Sequence, residues 1–76
     1  MRIRVRLFAR QREIAGSREV AVELPEGSTV ADAWAALVVL HPALAPGRTY
    51  VRYARNGQYT GPETVLVEDD EVACIP

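Results

Sequence analysis

The chain has no lysine: all nine of its basic residues are arginine. It has one cysteine, Cys74, one histidine, His41, one tryptophan, Trp34, and one phenylalanine, Phe8. A lone cysteine excludes an internal disulfide, and one cysteine with one histidine falls short of the ligand set of a structural zinc site. No stretch approaches the roughly 20 apolar residues that a membrane-spanning helix needs. The N-terminus alternates arginine with apolar residues where a signal peptide has a continuous apolar block, so the expected location is the cytoplasm. Neither a metal nor a cofactor is expected.

What is present is globular in balance, with 49% apolar and 25% charged residues in 76 positions. A domain of this size buries only about 60% of the surface of its unfolded chain, which leaves little room for both a core and a deep active site. The expectation is one domain over residues 1–76 that is not itself an enzyme. The net charge is −1, but Arg2, Arg4, Arg6, Arg10 and Arg12 lie near the start and Glu68, Asp69, Asp70 and Glu71 near the end. That makes the chain a dipole in sequence more than a polyanion or polycation.

Ile3, Val5 and Leu7 alternate with Arg2, Arg4, Arg6 and Phe8, the period of a half-buried strand with Ile3, Val5 and Leu7 inward. Residues Arg10 to Ala15 suit a short helical turn, and Arg18, Val20, Val22 and Leu24 alternate in a second strand hairpinned to the first. Thr29 followed by Asp32 resembles a capping box, so a helix should start near Val30. Val30, Ala33, Trp34, Leu37 and Leu40 or His41 form its expected buried stripe, and Pro42 ends it. Its other face, with Ala35, Ala36 and Val39, is unusually apolar. Ala43 to Gly47 reads as a loop and Tyr50 to Arg55 as a strand. Asn56-Gly57 is a tight hairpin turn because both residues accept positive φ. Gln58 to Thr60 returns, Val65 to Val67 pairs briefly, and Val72 to Ile75 is the last strand. One helix with this strand order predicts an α+β fold, a β-grasp, with the helix across a mixed sheet and the first and last strands parallel at its centre.

The candidate sites are few. The row of Arg2, Arg4 and Arg6 has the charge of a nucleic-acid stripe, but Glu19 and Glu23 on the matching face of the next strand neutralise much of it. His41 has no evident triad partner and sits where the helix dipole favours a cation. Cys74 alternates inward with Val72 and reads as a small buried hydrophobe. Glu68, Asp69, Asp70 and Glu71 lack the mixed oxygen ligands of a divalent-metal loop, and read as a solvated acidic turn or an electrostatic docking surface. Parity puts Phe8 and Ile75 on the Arg face, side by side and with Tyr59 near, which predicts an exposed partner patch.

The segment from Ile3 to Arg12 with Phe8-Ala9, then Arg12-Glu13-Ile14-Ala15-Gly16, Leu24-Pro25-Glu26-Gly27-Ser28-Thr29-Val30, Asn56-Gly57 and Asp70-Glu71-Val72-Ala73-Cys74-Ile75-Pro76, resembles the small sulfur-carrier subunit of molybdopterin synthase. The resemblance covers essentially the whole chain. It implies a ubiquitin-like carrier whose C-terminal glycine is adenylated by an ATP-dependent activating enzyme and converted to a thiocarboxylate. The tail then enters the catalytic large subunit, where its sulfur goes to the precursor of the molybdenum cofactor. On this reading Phe8, Arg12, Tyr59, Ile75 and Pro76 form the partner interface. Without lysine, such a relative of ubiquitin cannot build chains on itself.

Two departures stand out. Members of the family continue past Ile-Pro to Gly-Gly, whereas this sequence stops at Pro76, so the thiocarboxylate glycine is not among its residues and the gene product is expected to extend further. Glycine is also usual where Asp69 stands, although aspartate tolerates left-handed backbone better than most residues. The alternatives are a carrier serving thiamine, cysteine or tRNA thiolation, and a tail-less β-grasp module binding protein or RNA.

Overall fold

A computed structural model describes all 76 residues. Strand β1 (Arg2–Arg6) is followed by a short helix α1 (Arg10–Ala15), β2 (Glu19–Glu23), the main helix α2 (Val30–Leu40), a 3-10 helix (Pro42–Thr49), β3 (Arg52–Arg55), β4 (Gln58–Thr60) and β5 (Glu71–Ile75). The strands form one sheet in the order β2-β1-β5-β3-β4. β1 and β5 run parallel, with Val5 opposite Val72, and every other pairing is antiparallel. This is the expected mixed sheet with the first and last strands adjacent near its centre.

The alternation of β1 sends Ile3, Val5 and Leu7 inward, where each is fully buried. They meet Val30, Ala33, Trp34 and Leu37 of α2, together with Val72 and Cys74 of β5. Trp34 packs edge-on against Tyr53, with ring centroids 6.4 Å apart. The capping box forms as expected. Thr29 Oγ1 accepts from the Asp32 amide at 3.3 Å, and Asp32 Oδ2 accepts from the Thr29 amide at 2.8 Å, so two otherwise orphaned donors of the first turn are satisfied. Asn56 and Gly57 have φ of 49° and 85°, the left-handed pair that a two-residue hairpin requires. Val65 bridges Thr29 in isolation.

Three expectations are corrected. The buried stripe of α2 ends at Leu37: Leu40 is exposed and His41 half-exposed, because Pro42 turns the chain into the 3-10 helix before another apolar turn can reach the sheet. Ala43 to Gly47 is not a loop but part of that 3-10 helix, anchored by buried Leu44. The third strand starts at Arg52, leaving Tyr50 exposed beside the 3-10 helix. No helix is long and apolar enough to cross a membrane.

Candidate functional site

The side of the sheet away from α2 is assembled by register. Arg6 lies opposite Ala73, Ala73 opposite Ala54, and Ala54 opposite Tyr59, while Ile75 lies opposite Arg52. All these residues therefore share the outer face. Ala73 and Ala54 are buried there, forming a shallow apolar floor, and Tyr59 stands 74% exposed at its edge. Ile75 is half-exposed and Pro76 exposed at the end of β5. Strand parity had placed Arg6 on this face, but Ala54, Ala73 and Arg52 were not among the residues expected from sequence; only the register between strands distant in sequence brings them there.

Phe8 departs from expectation in degree. It is half-buried, because β1 ends at Arg6 and strand parity no longer governs it. Its amide donates to Gln11 Oε1 at 3.0 Å, and its carbonyl accepts from the Gln11 amide, also at 3.0 Å. Arg12 Nε donates to the Leu7 carbonyl at 3.0 Å. The guanidinium carbons of Arg6 and Arg12 each lie 5.6 Å from the centre of the Phe8 ring, within cation–π range. Neither guanidinium makes an ion pair within the chain. The short helix α1 thus holds Phe8 in place, and buried Gln11 is a positioning residue that no periodicity would have flagged.

The Arg row is not a continuous cationic stripe. Arg4 lies 4.0 Å from Glu19 and 3.9 Å from Glu71, and it also donates to the Asp69 carbonyl at 3.1 Å. The acidic turn divides as well. Glu68 and Asp69 are exposed and Glu71 half-exposed, but Asp70 is only 4% exposed. Its carboxylate accepts from Arg55 Nε at 2.9 Å, Asn56 Nδ2 at 2.8 Å and the Val67 amide at 2.9 Å. Asp70 is therefore a structural tie, correcting the expectation of a solvated turn at this residue. Burial acts to raise its pKa, but these hydrogen bonds and the Arg55 charge outweigh it and hold the carboxyl below its ordinary value. Asp69 adopts φ of 68°, the left-handed conformation for which aspartate stands in for glycine.

Cys74 is fully buried, and burial pushes its thiol up to about 12. A thiol so far from ionisation is not a nucleophile at neutral pH.

A five-stranded mixed sheet under one long helix, with its first and last strands parallel and adjacent near the centre, defines a ubiquitin-like β-grasp domain. The chain belongs to the ThiS family, whose model matches residues 5–76. It is 38% identical over 78 residues to the molybdopterin synthase sulfur carrier subunit of Chlamydomonas reinhardtii, covering 100% of this chain and 94% of that protein. It is also 38% identical over 79 residues to small archaeal modifier protein 1 of Haloferax volcanii, covering 93% of this chain and 91% of the relative. The crystal structure of the latter superposes with a TM-score of 0.91 at 34% identity, covering 99% of this chain and 95% of that one.

Proposed function

We propose that this domain is the non-catalytic sulfur-carrier subunit of a molybdopterin synthase and acts in the cytoplasm. Its sulfur travels as a thiocarboxylate on a glycine tail that follows Pro76. The outer face bearing Phe8, Arg12, Tyr59, Ile75 and Pro76 docks in turn on an ATP-dependent activating enzyme and on the catalytic large subunit. The observation that carries this reading is the position of β5. It lies between β1 and β3, and Ala73, two residues before Ile75, sits opposite Arg6, whose guanidinium lies over the Phe8 ring. A partner that grips this face therefore also receives whatever extends from Pro76. Proline there has no amide donor and a fixed φ, which ends sheet pairing and directs an extended tail away from the domain.

The equal identity to a protein named as a modifier supports a second reading, in which the same C-terminal carboxyl is activated but passed to other proteins. One experiment separates the two. The full coding sequence is expressed and incubated with ATP, an activating enzyme and a sulfide donor. A carrier gains the mass difference of sulfur replacing one terminal oxygen, and transfers that sulfur when the large subunit and its substrate are added. A modifier forms covalent adducts with other proteins instead. A coding sequence that stops after Pro76 defeats both.

A further inference from the structure

On the helix side of the sheet, opposite the Phe8 face, a groove of about 800 Å³ runs between α2, the 3-10 helix and the β3–β4 hairpin. Trp34, Ala35 and Val38 line its helix wall, and Tyr53 of β3 with the preceding Val51 lines the facing wall. Its only charged lining residues are Arg48 and Arg52, and neither makes an ion pair within the chain. An apolar trough with two uncompensated guanidiniums and no carboxylate is complementary to an occupant that is apolar and negatively charged.

Two details favour a peptide segment as that occupant. The Tyr53 hydroxyl has no hydrogen-bond partner in the chain and is not closed off from solvent, so it is a free donor on the groove wall. The Arg48 charge lowers the Tyr53 pKa against the larger, raising effect of burial, so the guanidinium acts on that phenol. Strand β4 is an edge of the sheet, with nothing paired beyond it. Arg55 and Gln58 close the two-residue hairpin as its hydrogen-bonded pair, so the next pair, Ala54 and Tyr59, is the non-bonded one. Tyr59 then turns its backbone N–H and C=O outward at the groove. A free strand edge beside an apolar trough is the arrangement that extended peptides use when they add to a sheet.

We propose that this groove docks an extended, acidic and apolar segment of a partner protein. Its carboxylate is held by Arg48 and the Tyr53 hydroxyl, and its apolar side chains rest on Trp34, Ala35 and Val38. The groove lies on the helix side of the sheet, away from Phe8 and Arg12, and shares only Arg52 and Tyr59 with the outer face.

The test is an NMR titration of the isotope-labelled protein with the blocked peptide Leu-Glu-Leu-Glu-Leu and with its counterpart Leu-Lys-Leu-Lys-Leu. The acidic peptide should shift the Trp34 indole and the amides of Ala35, Val38, Val51 and Tyr59, and the basic one should not. Arg48→Glu should weaken the acidic peptide by about tenfold or more, the loss of one charge-assisted hydrogen bond. The same variant should gain binding to the basic peptide, which a merely unfolded variant would not do. Equal shifts from both peptides, no shifts, or shifts confined to Phe8 and Ile75 would overturn the proposal. Groove resonances that move on dilution without peptide would also overturn it, showing that a second copy of this chain is the occupant.

Discussion

Asp70 accepts a 2.9 Å hydrogen bond from Nε of Arg55, a residue 15 positions earlier at the end of the neighbouring strand. With Asn56 and the Val67 amide also donating to the same carboxylate, one side chain ties the β3–β4 turn to the loop that feeds β5. The loop is joined to β1 by other bonds, the Arg4 amide to the Asp70 carbonyl and the Asp69 amide to the Arg2 carbonyl.

That tie has a pH signature. The Asp70 pKa is lowered from its ordinary 3.8, so the unfolded chain takes up the proton first as acid is added. The stabilisation is complete above about pH 4 and is lost as pH falls through the depressed folded value. Asp70→Ala should cost about 3 kcal/mol, since it leaves Arg55 and Asn56 facing an empty site, and should lower Tm by about 12–24 °C. Asp70→Asn should show a flatter acid limb in a plot of stability against pH. An acid limb as steep as that of the unaltered protein would place the responsible carboxylate elsewhere.

Backbone strain gives a second prediction. Ala9, between Phe8 and α1, has φ of 48° and ψ of −123°, a combination in which a Cβ is crowded and glycine is at ease. Ala9→Gly should raise stability by about 1 kcal/mol, read as a Tm increase of several degrees. Asp69→Gly should gain less, because aspartate at φ of 68° already sits in a region it tolerates. A loss of stability in Ala9→Gly would show that the turn carries no strain to relieve.

Much of this fold was legible in the sequence because its signals are local. The alternation through Ile3, Val5 and Leu7 needs only the pleat of a strand, the Thr29–Asp32 cap only one helical turn, and Asn56-Gly57 only two dihedral pairs. What escaped depends on topology. Asp70 looks like its acidic neighbours until β3 brings Arg55 and Asn56 beside it. Ala54 and Ala73 become one floor only through the β3–β5 register. Phe8 is assigned by parity to the open face, but the strand ends before it and Gln11 and Arg12 take over its placement.

The buried thiol offers a third check. With its pKa pushed up to about 12 by burial, Cys74 has almost no thiolate at neutral pH and no open route to reagent. Iodoacetamide should leave the native protein unmodified over hours and label it rapidly in urea, with labelling read by intact mass. Rapid native labelling would mean that β5, the central strand, opens readily.

The final prediction separates core from docking surface by comparing two aromatic truncations. Trp34 is 5% exposed within the cluster that joins α2 to the sheet. Trp34→Ala should therefore cost about 3–5 kcal/mol in a denaturant melt. Phe8 is half-buried, and Arg6 and Arg12 lie over its ring. Phe8→Ala should cost only about 1 kcal/mol of stability, since much of its surface already meets water. Its effect should fall on association instead, because a half-buried aromatic flanked by unpaired arginines has the character of an interface anchor. Calorimetry with the catalytic large subunit and with the activating enzyme should find affinity reduced by about thirtyfold or more, the scale of a 2 kcal/mol anchor. Arg12→Ala should weaken the same complexes while leaving Trp34 fluorescence unchanged, because it removes a guanidinium from Phe8 and one bond to the Leu7 carbonyl, and Arg12 is not part of the buried cluster around Trp34. If Phe8→Ala instead lowers stability as much as Trp34→Ala and binds both partners with full affinity, Phe8 is a core residue and the docking face lies elsewhere.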